Sequence, residues 1–256
     1  MDPATLIGLG LAIGGILLAI ILEGSSPMSV ILIPAMTLVI VGTIGATLAG
    51  SRMADIPFII QGTVKALTGK ATNPTKTIET LVKLAETARR EGLLALEDAA
   101  KDVDDPFLKD GLQSAIDGAD PEDLREMLEA KIATKKSTDK IAAGFWATAG
   151  GFAPTVGIIG TVVSLVHVLE NLADPTKLGH MIAAALVATF WGLLSANIIA
   201  LPLAARLKRL SETECAQMEL IVEGLMAVQA GANPRLVAQR LRSLVPETKA
   251  KEKEAA

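Results

Sequence analysis

The sequence has 256 residues, half of them hydrophobic and only 3% aromatic, with 20% charged and a formal net charge of −4. That composition, with a positive mean hydropathy, excludes an ordinary water-soluble domain. The mild acidity and the lack of any basic groove pattern exclude a nucleic-acid partner. Charges avoid the long apolar runs almost completely, as expected of a membrane protein with a sizeable aqueous part. Cys215 is the one cysteine, so no intrachain disulfide exists.

Residues 5–22 form a first apolar span. A cleaved signal peptide is the competing reading, but Asp2 stands where such a peptide carries basic residues, and no small-x-small site follows cleanly. The segment is therefore read as a retained helix. A turn at 23–28 leads to a second span at 29–50, with Pro34 near its start, so that 1–50 is a transmembrane hairpin. Character then changes. Residues 51–142 hold 14 Lys/Arg and 17 Asp/Glu and carry amphipathic helical spacing. Ile78, Leu81, Val82, Leu84, Ala85 and Ala88 recur every three to four residues. Gly92 interrupts that helix, Leu93, Leu94 and Leu96 reopen it, and Asp120-Pro121-Glu122 starts another. No strand pattern is evident, which makes this segment a helical cytoplasmic lobe.

Two long apolar runs follow, 143–169 and 180–205, each beyond the ~20 residues that cross a hydrocarbon core. The first contains Gly150, Gly151, Pro154, Gly157, Gly160 and Thr161; the second contains Thr189, Gly192, Ser195, Asn197 and Pro202. Such residues weaken a helix in water. In a membrane they allow close approach and hydrogen bonds across the contact. No Asp, Glu, Lys, Arg or His occurs between Gly144 and Val166, or between Met181 and Ala205. Ion paths place an ionisable group at depth, so an ion-handling role requires a titrating group from another chain. Residues 206–256 form a cytoplasmic tail: an amphipathic helix through Leu210, Met218, Leu220, Ile221, Leu225 and Val228, a break at AGANPR, a short last helix, and a disordered end at 248–256.

Twenty-three of the 24 Lys/Arg lie in 51–142 and 206–256, and Lys177 is the exception. The positive-inside rule then puts both termini in the cytoplasm. The fold class is all-α: a polytopic membrane protein with four transmembrane helices and a helical cytoplasmic lobe.

This layout, with ARREGLLALE (88–97), DPFLKDGL (105–112), GFAPTVGIIGT (151–161), ENLADPTKLGHMIAAALVATFWG (170–192) and NIIALPLAARL (197–207), resembles the MotA/PomA family of flagellar motor stator proteins. The related ExbB/TolQ energy transducers share the last two spans but lack the 5–50 hairpin. The resemblance implies a subunit of the bacterial inner membrane that couples H+ or Na+ flow to torque. It implies a homopentamer around a single-span MotB or PomB partner, which supplies the ion-binding Asp, and contact of the lobe with the rotor protein FliG. Membrane lipid is the remaining partner; no further cofactor, resident metal or enzymatic activity is implied.

By the same resemblance Arg89, Arg90 and Glu97 engage rotor charges, against the plainer reading of a solvated helix face. Pro154 and Pro202 match two prolines coupled to conformational change, against simple shaping of the bundle. Thr161, Ala188 and Thr189 fall around the partner's Asp. Thr161 is similar to the sodium-driven branch and the Ala188–Thr189 pair to the proton-driven one; the oxygen missing at Ala188 tips the balance to protons. His167 and His180 are membrane-edge residues, Glu170 and Asp174 are loop acids near an entrance, and Trp146 is an interfacial anchor.

Overall fold

A computed structural model describes residues 3–69, 73–170 and 175–245, without the side chains of 3–4, 175–177 and 180. Asp174, the side chains of Lys177 and His180, and the 248–256 tail lie outside the described residues. Every regular element described is helical: α1 (Pro3–Leu22), α2 (Ile33–Ala49), α3 (Ile56–Thr68), α4 (Pro74–Glu91), α5 (Leu96–Lys101), α6 (Pro106–Ile116), α7 (Pro121–Glu170), α8 (Pro175–Leu194), α9 (Leu201–Gln229) and α10 (Pro234–Ser243). A π-helical segment, Ser195–Ala200, joins α8 to α9. The chain divides into two compact units, 1–70 with 138–210, and 71–137 with 211–256.

In the first unit, α1 and the long helices that contain the two later apolar runs are long and apolar enough to cross a membrane. The pair Ile33–Ala49 and Met53–Thr68, bent by 112°, makes the fourth candidate. The bend separates span from amphipathic helix: α3 buries Ile59 and Ala66 and exposes Phe58, Ile60, Val64 and Leu67. Residues 51–70 thus group with the membrane unit, whereas the charge pattern alone divides the chain at residue 50. Small residues dominate the buried positions, among them Ala149, Ala153, Ala185 and Ala188, while Leu11, Leu22, Ile33 and Val41 face outward. That inversion suits hydrocarbon, where burying a large apolar side chain against protein gains little over lipid.

The second unit packs the opposite way. Leu81 of α4, Leu96 of α5, Leu112 of α6, Leu128 of α7 and Leu225 of α9 are fully buried together, Leu81 and Leu225 among the positions that the helical spacing of the sequence picks out. Helix starts are capped where the sequence supplies Asx-Pro. Asn73 accepts from Thr75 N–H at 3.1 Å, Asp105 from Phe107 N–H at 2.9 Å, Asp120 from Glu122 N–H at 2.9 Å and Asn233 from Arg235 N–H at 3.0 Å. Each satisfies a helix-terminal N–H that has no partner within the helix, beside a proline that needs none. Glu223 accepts from Arg125 at 2.9 Å and from Arg240 at 2.5 Å, tying α7, α9 and α10. The Glu223 contact, led by its hydrogen bond, raises the Arg125 pKa further above its usual value.

Two boundaries differ from the apolar runs. The 143–169 run is the second half of a 50-residue helix, because nothing between Leu124 and Ala143 interrupts helical backbone bonding. Likewise the 180–205 run does not end at a loop: the π turn passes directly into a helix that reaches Gln229 and stops at Gly231, whose φ is +62°.

Candidate functional site

The glycines of the two later runs bring α7 and α8 to backbone contact. A Cβ on Gly192 would lie 2.7 Å from the Ala153 carbonyl oxygen and 3.0 Å from Gly157 Cα. One on Gly157 would lie 3.0 Å from the Ala188 carbonyl oxygen. Backbone on both sides leaves nothing that can yield, so only glycine fits. At this crossing Thr161 and Thr189 join their hydroxyls at 2.5 Å, and Thr161 Oγ1 also donates towards the carbonyls of Ala185 at 3.1 Å and Gly157 at 3.2 Å. Ala188 is buried beside them, its methyl 2.8 Å from where a Gly160 Cβ would stand. The structure therefore gathers Thr161, Ala188 and Thr189 into one patch of hydroxyl and carbonyl oxygens within the membrane unit.

Pro154 and Pro202 flank a second contact. Pro154 has no N–H for the Gly150 carbonyl, its helical acceptor. Gly150 itself packs on Leu201, the residue before Pro202: a Cβ there would lie 2.6 Å from Leu201 Cδ2. Pro202 likewise cannot donate to Ile198, and the backbone upstream widens into the π turn, with Leu201 N–H bonding Ala196 O. The two prolines thus loosen backbone bonding on both sides of one glycine–leucine contact.

Other features of the unit escaped sequence reasoning. Trp191 Nε1 donates to the Val30 carbonyl at 2.6 Å, and Trp146 Nε1 donates to Thr63 Oγ1 at 2.8 Å. Trp191 thus fastens α8 to the hairpin segment and Trp146 fastens α7 to α3; only Trp146 carried an expectation, as an interfacial anchor. Arg206 donates to the Ala66 carbonyl and to the Thr5 hydroxyl. Partners so far apart in sequence leave no local signal. His167 lies 3.5 Å from Glu170, both exposed, and no cluster of metal-binding type occurs among the described residues.

In the other unit, α4 ends at Gly92, with φ +88°, and a tight turn at Leu93–Ala95 opens α5. Arg89 and Arg90 occupy the last turn of α4, where cations suit the helix dipole, and Glu97 the first turn of α5, where anions do. All three side chains are exposed and make no hydrogen bond or ion pair among the described residues. Their neighbour Asp98 is paired with Lys101 at 2.7 Å. That hydrogen bond and charge hold the Asp98 pKa below the usual carboxylate value and raise that of Lys101.

Residues 99–220 match the model of the MotA/TolQ/ExbB proton channel family. Motility protein A of Bacillus subtilis is 34% identical over 253 residues, an alignment that spans 96% of this chain and 92% of that one. The chain belongs to the MotA/PomA family of flagellar stator proteins. Chemotaxis protein PomA of Vibrio alginolyticus is 33% identical over 97% of both chains. A solved structure of the flagellar MotAB stator complex from Bacillus subtilis superposes with a TM-score of 0.90 at 31% identity, covering 98% of this chain and 99% of that one. As a member of this family the chain is a motor stator subunit, not an enzyme, and the four-span, all-α architecture expected from the sequence agrees with that likeness.

Proposed function

We propose that several copies of this chain surround a single-span MotB-type partner in the bacterial cytoplasmic membrane and turn cation flow into torque on the rotor protein FliG. The observation that carries this reading is the membrane seam. It gathers the Thr161 and Thr189 hydroxyls at a glycine crossing while the flanking runs contain no ionisable side chain between Gly144 and Val166 or between Met181 and Ala205. A path of that kind is completed by a charge from elsewhere, and the resemblance supplies it as the partner's membrane Asp. The solved neighbour being a MotAB complex supports the same partner, and the family resemblance supports five copies.

The driving ion is the proton. Hard cations want several free oxygen ligands, but the two threonine hydroxyls already bond each other and Ala188 contributes a methyl. The matched family model is itself one of proton channels, whereas near-equal identity to motility protein A and to PomA favours neither branch. Pro154 and Pro202 let the Gly150–Leu201 contact shift as the partner's Asp changes charge. Residues 1–50 and 143–205 lie in the membrane, 51–142 and 206–256 on the cytoplasmic side, with both termini inside. Within that plan α3 rests on the inner leaflet, its exposed Phe58, Ile60, Val64 and Leu67 in lipid and its Lys65, with Arg52 just before the helix, among the headgroups. Arg89, Arg90 and Glu97 meet rotor charges.

The test is swimming of a stator-less cell that carries this chain and a cognate MotB-type partner, with external Na+ removed at fixed pH. Persistent motility is expected. Motility that stops, and returns with Na+, overturns the proton assignment and makes Thr161 and Thr189 sodium ligands. In the same cells Arg89→Ala or Glu97→Ala reduces motility without loss of the assembled complex.

A further inference from the structure

The lobe keeps most of its large apolar side chains inside, and the most exposed of the rest lies at the elbow between α4 and α5. Gly92 turns the chain with φ +88° and ψ 169°, and in the turn that follows Leu93 packs back on the core while Leu96 is fully buried. Leu94 instead points outward and is 75% exposed, more than any other large apolar side chain described in 73–137 and 211–245. A solitary exposed leucine needs no explanation by itself. This one lies among exposed charges, with Arg89 and Arg90 before it and Glu97 after it. At the elbow Asp98 pairs with Lys101, whose charge Glu97 also shares one helical turn away, while Arg89 and Arg90 hold no ion pair among the described residues. An apolar tip set between exposed bases and an exposed acid has the anatomy of a contact centre: an apolar anchor that excludes water, within a charged rim that steers and sets register.

We infer that Leu94 is the apolar anchor of the contact with the rotor. It enters an apolar slot on a rotor surface that presents a carboxylate towards Arg89 and Arg90 and a basic group towards Glu97. The inference rests on the rotor-contact reading above and adds to it. Charges alone give a long-ranged, salt-screened attraction with little grip. Burying one leucine strengthens docking by about ten- to hundredfold.

The experiment uses the full complex in cells. A photo-crosslinking amino acid is placed at Leu94 or, as a control on another exposed leucine of the lobe, at Leu236 (63% exposed), and stall torque is measured for Leu94→Ser and Leu94→Met. The expected result is a crosslink to the rotor protein from 94 and none from 236, with torque lost in Leu94→Ser and largely kept in Leu94→Met. Normal torque in Leu94→Ser while Arg89→Ala is impaired overturns the anchor and leaves the rotor reading standing. Normal torque in Arg89→Ala and Glu97→Ala overturns that reading itself. Crosslinks from 94 only to another copy of this chain also overturn the anchor. If Leu94→Ser fails to assemble, the crosslink from 94 decides.

Discussion

The two units of this protein bury opposite kinds of residue. The lobe seals Leu81, Leu112, Leu128 and Leu225 inside; the membrane unit seals alanine, glycine and threonine inside and turns Leu11, Leu22 and Ile33 outward. The difference teaches what drives each to pack. In water, area removed from solvent dominates, at about 25 cal/mol per Å2 of apolar surface. In hydrocarbon that term vanishes between helices, and close backbone approach and hydrogen bonds such as Thr161 to Thr189 take over. Hence one methyl group has different consequences in the two places.

The comparison breaks most sharply at the glycines. Gly192→Val sets a branched side chain against the Ala153 carbonyl and Gly157 Cα, where no flexible tip can retreat. We expect helix insertion to survive while the α7–α8 crossing opens, the complex fails to assemble and motility is abolished, read by co-purification of the partner. An assembled, motile variant would mean that the crossing tolerates width and that glycine is incidental there. In the lobe the matching change is a loss of volume: Leu225→Ala leaves a cavity at a fully buried site and costs about 2–5 kcal/mol. Thermal unfolding and limited proteolysis of the solubilised protein should report a destabilised lobe. The same truncation at exposed Leu11 of α1 should leave stability within about 0.5 kcal/mol, and equal effects at the two leucines would erase the contrast.

The smallest effect concerns surface charge. Lys101 depresses the Asp98 pKa, so the pair's contribution is present above the unfolded carboxylate value and is lost as pH falls through the lower folded one. Lys101→Met should return Asp98 to ordinary carboxylate titration by NMR with almost no change in stability, because both side chains are largely exposed. A substantial loss of stability would mean that the pair orders α5.

Much of this was legible from residues alone. Alternation of charge-free runs with charged segments gives the spans, three-to-four spacing gives the lobe core, and Gly92 marks the elbow. Asp120-Pro121 marks a helix start. The ends of the long helices were less legible: apolar length reports where hydrocarbon begins, whereas helical bonding continues for as long as no breaker intervenes. The amphipathic face of α3 was hidden because Lys65 and Arg52 count as aqueous residues until the 112° bend shows their apolar neighbours exposed.

By itself the sequence determined class, span content, the absence of ionisable groups in the seam and the family, because these depend on composition and order along the chain. Tertiary structure alone decided that the Thr161 and Thr189 hydroxyls meet, that Gly150 packs against Leu201 between two prolines, that Trp191 reaches back to Val30, and that Leu94 rather than Leu93 faces out. Each depends on the rotation and approach of helices. Those are fixed by the summed packing of residues far apart in sequence, and no local pattern encodes that sum.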